Sequence, residues 1–508
     1  MSIAGLLRAA AQKWGTRTAV RTPLGDRSLD FQTFCEACLG FGSRLQQFSV
    51  DRGDRIALIG DQHFDYLIAD YGVMAGGLVR VPLDPALSAP ELAAQVGDAG
   101  ARLILFSHSR RELGQAVATL AQLPIQSIEE TVREVLHSSA RSSNDADPAR
   151  DDIASLNYTG GTSSEPKAVV LNHGALRAAV QNIVLARGAG AGDLMLNVRP
   201  LWPIAAIVVL AHLCAGGTVI TAESFSAERF LSLVEQTGAS FTSLVPTHLV
   251  RMLREADRGA LTVLRSLRSI DVGAAAIPPE TFAELIDLIG PKIGVLYGLT
   301  EAPWSCYQPP TDVMEDSALN PSRLRSAGRA VFGCDIAIDD ASGPPRPSGE
   351  GEILIRGAHL MSGYWNKPEL STATLRGGWL HTGDLGFIDQ QGRLTVTGRL
   401  KLMIRTGGKS VSPGEVEQVI RQFSGVTDAA VFGLPDPEWG EIVAAAITVE
   451  ADQSINHAEL AAHCAARLSP HKRPKRIQTI AALPRSHYGK VQLSRLREIF
   501  ENLENGLT

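Results

Sequence analysis

The chain has few cysteines, no long apolar segment and no block of basic residues. Its six cysteines are too few and too scattered for a disulfide framework, and Cys35 and Cys38 lie one helical turn apart in an apolar pattern typical of core packing. The longest apolar run, 204–211, is far shorter than the roughly 20 residues that span a bilayer. The N-terminal segment lacks a sustained apolar signal region. We therefore expect a cytoplasmic protein without membrane attachment.

Charge and composition argue against several further classes. The 54 acidic residues outnumber the 48 basic ones, giving a formal charge of −6, and no basic run is long enough to follow a row of phosphates on a polymer. Nucleic acid is therefore not an expected partner. With 44% hydrophobic and 20% charged residues, the chain is neither disordered nor fibrous. Its 508 residues predict a large core divided into more than one domain.

Short β-branched runs alternate with helical stretches rich in Ala and Leu through most of the chain. This alternation predicts repeated βαβ units, and hence an α/β fold with mainly parallel sheets between helices. The polar segment 138–152 is predicted to be a loop. The predicted strands are RIALIG after Asp54, LVRVPLDP from Leu78, RLILFS from Arg102, and the later runs AVVLNH, GTVITAES and IGVLYG.

The pattern restarts near the C-terminal end. An acidic helix is predicted from Pro413, a strand at 429–433 and an amphipathic helix near 457–468. We therefore predict a large N-terminal domain, 1–399, followed by a small α+β domain, 400–508.

The stretch SLNYTGGTSSEPKAVVLNH, 155–173, has the character of an anion-binding loop. An apolar strand opens into Gly, Thr and Ser and closes on Lys167. Small residues let backbone N–H groups approach an anion, hydroxyls add donors, and the lysine adds the positive charge that a polyphosphate attracts. The spacing differs from G-x-x-x-x-G-K-[ST], because Glu165 and Pro166 precede the lysine. A solvated Gly/Thr loop is the alternative.

Two further stretches carry candidate binding residues. In VLYGLTE, a strand ends near Tyr297 and presents Thr300 and Glu301; an aromatic ring can cover a base, and a carboxylate can hold Mg²⁺. In GGWLHTGD, Asp384 follows a turn and can accept hydrogen bonds from ribose hydroxyls, with the guanidinium of Arg399 fifteen residues on. Each stretch alone also fits an ordinary strand-end turn with one solvated charge.

Five segments taken in order resemble the signature motifs of the adenylate-forming superfamily, which contains acyl-CoA synthetases, peptide-synthetase adenylation domains and luciferases. They are TGGTSSEPK, YGLTE, TGD, GRLKLMIRTGG and LPRSHYGK, and the resemblance covers nearly the whole chain. The segment GGKSVSPGEVE favours the acyl- and aryl-CoA ligase branch. The resemblance implies an αβα N-terminal domain with a distorted barrel, and a mobile C-terminal lid hinged near Leu402.

The resemblance also implies a two-step reaction. A carboxylate attacks the α-phosphate of ATP with release of pyrophosphate, and CoA then displaces AMP from the acyl-adenylate. Lys490 would bridge the carboxylate and the α-phosphate, Thr300 would contact phosphate, and Glu301 would hold Mg²⁺. Gly408, beside Gly407, would let the pantetheine arm of CoA pass close to the backbone. The implied nucleotide-binding residues are Thr159, Thr162 and Lys167 in the loop, Tyr297 beside the adenine, Asp384 and Arg399 at the ribose, and Gly273, Ala274 and Gly298.

Four residues depart from the family pattern. Ser164 and Ala168 stand where the family has glycine, which stiffens a loop expected to close on phosphate. Trp202-Pro203 stands where relatives have an aromatic-His pair lining the acyl and pantetheine passage. Leu402 stands at the hinge, where Asp or Lys is common, and by burying its side chain it would hold the lid in one orientation. These changes are either neutral or weaken the use of ATP.

Small residues at the expected acyl-pocket positions predict a bulky, apolar carboxylic acid as substrate. A full ligase is expected. The alternatives are a partial ligase that starts from acyl-AMP, a non-catalytic adenylate-binding protein, and an adenylation domain that loads a carrier protein. Retention of Glu301, Asp384, Arg399 and Lys490 together argues against the pure binder, which has no need of the lysine. Because the sequence given continues only briefly past Lys490, we expect CoA and not a fused carrier protein as the acceptor. The oligomeric state is left open, a homodimer included. The small residues are Ala205, Ala206, Ala274, Ala275 and Ala276.

Overall fold

A computed structural model provides the structure of the chain. Within the residues that it describes, no helix is long and apolar enough to cross a membrane. All six cysteines are free thiols and five are buried, among them Cys35 and Cys38, in agreement with core packing. The described residues are 1–138, 147–159, 167–450, 455–485 and 491–504.

The chain divides into two compact units. The first comprises Met1–Ile336 and Ile355–Leu380, and the second comprises Ala337–Leu354 and His381–Thr508. The domain boundary at 399/400 stays a prediction.

The helices of the described residues are amphipathic or fully buried. In chain order they are α1 (Ile3–Trp14), α2 (Phe31–Leu45), α3 (Phe64–Ala75), α4 (Ala89–Ala99), α5 (Arg111–Ala121), α6 (Ile128–His137), α7 (His173–Arg187), α8 (Ala206–Cys214), α9 (Ala227–Thr237), α10 (Pro246–Glu255), α11 (Pro279–Ile289), α12 (Pro368–Thr374), α13 (Pro413–Arg421), α14 (His457–Arg467) and α15 (Leu493–Glu504).

The strands of the described residues alternate with these helices in the first unit. They are β1 (Thr18–Arg21), β2 (Ser28–Asp30), β3 (Arg55–Ile59), β4 (Val79–Leu83), β5 (Ala101–Phe106), β6 (Ile125–Ser127), β7 (Ile153–Tyr158), β8 (Ala168–Asn172), β9 (Leu194–Asn197), β10 (Thr218–Thr221), β11 (Phe241–Leu244), β12 (Ser269–Val272), β13 (Ile293–Leu299), β14 (Ala302–Gln308), β15 (Met314–Glu315), β16 (Ala318–Leu319), β17 (Arg329–Ala330), β18 (Cys334–Asp339), β19 (Gly349–Gly357), β20 (Gly363–Tyr364), β21 (Leu375–Arg376), β22 (Trp379–Ile388), β23 (Leu394–Arg399), β24 (Ile404–Thr406), β25 (Lys409–Val411), β26 (Val426–Asp436), β27 (Gly440–Val449) and β28 (Arg476–Thr479).

Two large sheets organise the first unit. One has the order β20-β8-β7-β4-β3-β5-β6, and its strands from β7 to β6 pair in parallel. The other has the order β17-β14-β13-β12-β11-β9-β10-β1-β2, with parallel pairing from β13 to β1. Parallel strands need crossover connections, and the helices between them bury the sheet faces, so central strands such as β3 and β4 are almost wholly buried.

Local sequence fixes where the helices begin. Asp30 Oδ1 accepts a hydrogen bond from the backbone N–H of Thr33 at 2.7 Å, which caps α2. Asn172 Oδ1 accepts one from the N–H of Ala175 at 2.7 Å, so α7 starts immediately after β8. Such caps satisfy backbone donors that the first helical turn leaves unpaired.

In the second unit, a sheet of order β25-β24-β27-β26, with β28 on β27, carries helices on both faces. Successive residues of β26 point to opposite faces. Ala429 and Val431 pack with residues of α13 and α14, whereas Phe432 packs edge-on against Phe500 of α15 at 5.0 Å between ring centroids. This alternation explains why β26 and β27 are apolar along their whole central length.

The predicted fold class is confirmed: the first unit is an α/β arrangement of mainly parallel sheets and the second is small and α+β. The predicted strands are found as β3, β4, β5, β8, β10 and β13, and the predicted C-terminal elements as α13, β26 and α14. Residues 147–152 are irregular, as the loop prediction requires, while 139–146 lie outside the described residues. The distorted barrel stays a prediction.

Candidate active site

The predicted phosphate loop connects two antiparallel strands, β7 and β8. The backbone N–H of Thr159 donates to the carbonyl of Lys167 at 3.2 Å, which closes the base of the loop. Residues 160–166, with Thr162 and Ser164, lie outside the described residues. Ala168 is the first residue of β8, is 1% exposed and pairs with Tyr158. Its methyl group therefore belongs to the core, and the expectation that Ala168 stiffens the loop is wrong.

A chain of contacts joins the end of this loop to the predicted metal carboxylate. The ammonium of Lys167 lies 4.7 Å from the centre of the Tyr364 ring. The hydroxyl of Tyr364 donates to Oε1 of Glu301 at 2.8 Å. One buried tyrosine thus brings together two residues that the sequence placed in separate motifs, and it orients the carboxylate.

Backbone pairing holds this tyrosine in place. β20 pairs antiparallel with β8, matching Tyr364 with Val169 and Gly363 with Val170. On the other side, the N–H of Met361 donates to the carbonyl of Glu301 at 2.9 Å. Tyr364 is not among the residues predicted from the sequence, because the two-residue strand that carries it gives no periodicity to detect.

Thr300 and Glu301 form the turn between β13 and β14, and both are half-buried. The register shifts between Tyr297 and Leu299, at Gly298. A Cβ atom on Gly298 would lie 2.6 Å from the backbone nitrogen of Trp304, so this position accepts only glycine without rearrangement. The close approach of the two strands therefore explains why glycine follows the tyrosine.

Gly273 and Ala274 follow β12, which is parallel to β13. The register pairs Val272 with Val295, so both strands deliver their next residues to the same edge of the sheet. A Cβ on Gly273 would lie 2.5 Å from Leu296 Cγ, so the two segments touch. Ala274 is exposed and has φ of 73°, in the left-handed region that disfavours residues other than glycine. The structure thus brings Gly273 against Leu296, the residue before Tyr297.

In the second unit, Asp384 and Arg399 face each other across the hairpin of β22 and β23. Arg399 Nε donates to Asp384 Oδ1 at 2.5 Å. The aspartate is 4% exposed, whereas about half of the arginine side chain is exposed. A buried carboxylate held by a guanidinium has the fixed orientation that hydroxyl recognition needs.

Hydrogen bonds to Glu352 and Ile353 hold the turn before Asp384 in place. Glu352 accepts hydrogen bonds from His381 Nδ1 at 2.9 Å and from the N–H of Gly383 at 2.8 Å. Thr382 Oγ1 donates to the carbonyl of Ile353 at 2.7 Å and accepts from the N–H of Asp384 at 3.0 Å. The threonine and glycine of TGD therefore serve the geometry of the turn.

Gly407 and Gly408 form the two-residue turn between β24 and β25, with φ of 55° and 75°. Positive φ at both positions is the geometry of a type I′ hairpin, which favours glycine. A Cβ on Gly407 would lie 2.7 Å from the Trp439 ring. Leu402 is 36% exposed, and its role at the hinge stays a prediction. Lys490 lies outside the described residues.

Comparison with known proteins identifies the family. Residues 7–365 match the AMP-binding enzyme family, and residues 415–490 match the AMP-binding enzyme C-terminal domain. The chain belongs to the AMP-binding enzyme family. It is 33% identical to a feruloyl-CoA synthase of Amycolatopsis sp, over 95% of this chain and 96% of the relative. It is 31% identical to the long-chain-fatty-acid–CoA ligase FadD13 of Mycobacterium tuberculosis, over 89% and 90%.

Solved structures of similar fold agree with this family assignment. The o-succinylbenzoate CoA synthetase of Bacillus subtilis, in complex with its acyl-adenylate intermediate, matches with a TM-score of 0.84 and 27% identity over 97% of both chains. The predicted adenylate-forming family and the prediction of an AMP-forming ligase are confirmed. The roles of the individual residues stay predictions.

Proposed function

We propose that this AMP-binding enzyme activates a bulky, apolar carboxylic acid with ATP and Mg²⁺ as an acyl-adenylate and transfers the acyl group to CoA. The carboxylate oxygen bonds to the α-phosphorus as pyrophosphate leaves. The CoA sulfur then bonds to the acyl carbon as AMP leaves, and the thiol proton is released.

The observation that carries this proposal is the contact chain from Lys167 through Tyr364 to Glu301. It sets a cation at the end of a Gly- and Ser-rich loop and a carboxylate on one tyrosine, the two charges that a metal-bound polyphosphate requires. Lys167 is half-buried, and its ammonium lies over the ring of a buried tyrosine. The contacts therefore favour the phosphate-loop interpretation over a solvated Gly/Thr loop.

Glu301 fits a Mg²⁺ ligand, because a carboxylate is the hard oxygen donor that this ion prefers. The hydrogen bond from Tyr364 engages Oε1 and fixes the plane of the carboxylate. When bound, Mg²⁺ offsets negative charge on the phosphates. Lys167 adds a second positive charge on the loop side, and Lys490 would bring the attacking carboxylate to the α-phosphate.

The preference for a bulky acid rests on the segment 274–276, three consecutive alanines that are exposed directly after β12. They present only methyl groups directly after Gly273, which contacts Leu296, and so leave room for an aromatic or alicyclic group. Ala205 is half-buried and Ala206 is 3% exposed, so these two residues support the preference less directly than the exposed alanines do. The feruloyl-CoA synthase relative, whose name indicates an aromatic acid, agrees with this preference.

The full two-step ligase is favoured over the partial ligase. One of the four departures from the family pattern, Ala168, lies in a strand and not in the loop, which weakens the argument that it impairs loop closure. Cytoplasmic location and oligomeric state stay predictions.

Mass spectrometry of products tests the proposal. The enzyme is incubated with ATP, Mg²⁺, CoA and a panel of acids that includes acetate, aliphatic, alicyclic and aromatic members, beside the matching synthetic acyl-adenylates. We expect acyl-CoA and AMP in equal amounts, with the highest kcat/KM for an aromatic or alicyclic acid. Acetate exceeding every large acid would contradict the substrate class. Thioester formation only from supplied acyl-adenylate would contradict the two-step route.

Two matched variants test the site. Glu301→Gln removes the charge of the proposed metal ligand and should reduce pyrophosphate release. Glu284→Gln removes a surface charge from α11, where Glu284 pairs with Arg258, and should leave the rate unchanged. Equal rates for the two variants would remove Glu301 from the proposal.

A further inference from the structure

An arginine is buried in the core of the first unit. Arg80 lies on β4 and its side chain is 2% exposed. A buried guanidinium is costly unless its donors are paired. Its Nε donates to Oδ1 of Asp70, on α3, at 2.5 Å, and Asp70 is fully buried. The carboxylate balances the charge and fixes the plane of the guanidinium.

The remaining donors of this guanidinium reach two parts of the fold. One is the turn before α8: Arg80 donates to the carbonyl of Pro203 at 3.1 Å and to that of Leu201 at 3.4 Å. The other is β7, where it donates to Ser155 Oγ and Asn157 Oδ1, both at 3.2 Å. Nη1 shares its two N–H groups among the Pro203 carbonyl, Ser155 Oγ and Asn157 Oδ1, and Nη2 reaches the Leu201 carbonyl. The planar fork of arginine spans these acceptors, which the single ammonium of lysine does not.

The turn formed by 201–205 depends on outside support. Its last residue, Ala205, occupies the N-cap of α8 and offers no side-chain hydrogen bond to the helix. Besides Arg80, the hydroxyl of Tyr71 holds the following residue, donating to the carbonyl of Ala206 at 2.8 Å. The first turn of α8 is bonded back to the 201–205 turn: the N–H groups of Ala206 and Val208 donate to the carbonyls of Leu201 and Ala205.

The hydrogen bonds from Arg80 to β7 lie close to the phosphate loop. Asn157 is two residues before Thr159, at the base of that loop. The same guanidinium therefore joins the strand that opens the phosphate loop to the turn that carries Trp202-Pro203, the residues at the family's acyl passage.

We infer that Arg80 is a positioning residue that fixes the 201–205 turn, and through it the acyl subsite, relative to the strand that enters the phosphate loop. The part of this inference that concerns the acyl subsite rests on the proposed function. Asp70 is its anchor, because it orients the guanidinium without touching the turn.

Hydrogen–deuterium exchange of the intact enzyme tests the structural part. Arg80→Lys keeps the charge beside Asp70 but loses the fork. We expect exchange of the amides at 206–208 to rise about tenfold, which corresponds to about 1.4 kcal/mol. Asp70→Asn, which weakens the anchor, should change the same amides in the same direction. Unchanged exchange at 206–208 in both variants would overturn the inference.

A matched control separates positioning from general loss of stability. Arg187 and Asp271 form a second buried pair, at the same 2.5 Å and with side chains 1% and 0% exposed. Arg187→Lys should lower the melting temperature to a similar degree without raising exchange at 206–208. If Arg187→Lys loosens these amides as much as Arg80→Lys, Arg80 has no special role and the inference fails.

Kinetics test the part that concerns the acyl subsite. In Arg80→Lys we expect KM for the acid to rise about tenfold, while KM for ATP changes less than twofold. An equal rise of both values would overturn the positioning role. Absence of thioester formation by the wild type with every acid would contradict the proposed function alone, since the exchange experiment decides the role of Arg80 at the turn without any turnover.

Discussion

Tyr364→Phe isolates the hydrogen bond that links the phosphate-loop region to Glu301. The substitution removes one oxygen atom and keeps the ring, so the contact with the Lys167 ammonium, 4.7 Å from the ring centre, is retained. What is lost is the 2.8 Å hydrogen bond to Glu301 Oε1. The carboxylate then rotates more freely and its orientation toward a metal ion is no longer fixed.

The magnitude follows from charge and burial. A hydrogen bond to a charged group contributes about 1.5 to 3 kcal/mol, and Tyr364 is only 8% exposed, so water replaces the lost donor poorly. If the full contribution is expressed in binding of metal-bound ATP, kcat/KM for ATP falls by about 10- to 150-fold. The KM for the acid should change little.

Pyrophosphate release, measured at saturating acid with ATP and Mg²⁺ varied, is the appropriate assay. Tyr307→Phe is the matched control: its hydroxyl donates to Asp271 Oδ1 at 2.7 Å and the residue is 6% exposed, but it lies outside the contact chain to Glu301. Both variants should lose similar thermal stability. The reasoning is refuted if the two variants have the same kcat/KM for ATP in folded protein.

Three further outcomes are expected. Lys490→Ala should lower ATP-dependent pyrophosphate release about 100-fold, while thioester formation from supplied acyl-AMP is largely kept; equal loss of both steps in folded protein would contradict the role. Asp384→Ala should weaken binding of a stable acyl-adenylate analogue by about 10- to 150-fold in calorimetry, because the ribose hydroxyls lose a charged partner; unchanged affinity would exclude it from the ribose site. Burial lowers the pKa of His359 from 6.5 to about 4, so the folded protein keeps this ring neutral while the unfolded chain protonates it. The stabilising effect of the neutral ring is therefore lost as pH falls from about 6.5 toward 4. Relative to His359→Gln, the wild type should lose up to about 1.4 kcal/mol of unfolding free energy per pH unit in that window, and parallel urea-unfolding profiles for the two proteins would contradict this.

The order of the elements and the candidate motifs could be predicted from the sequence, because both depend on local information. Strands such as β3 and β13 are short β-branched runs between helices, and caps such as Asn172 act within a few residues. The motifs around Lys167, Glu301 and Asp384 could be recognised for the same reason, since each joins a few adjacent residues into one loop or turn.

Only the tertiary structure decided how the motifs around Lys167 and Glu301 meet. Tyr364 reaches Glu301 because a two-residue strand pairs with β8, far away along the chain, and Arg80 is buried because Asp70 and the 201–205 turn surround it. The placement of Ala168 in the core and the exposure of Leu402 also depend on neighbours that sequence spacing does not specify. The sequence by itself determined which residue types and local elements are present. Their burial and partners were decided by packing between distant segments, which fixes the charges and hydrogen bonds of each side chain only once the sheets are formed.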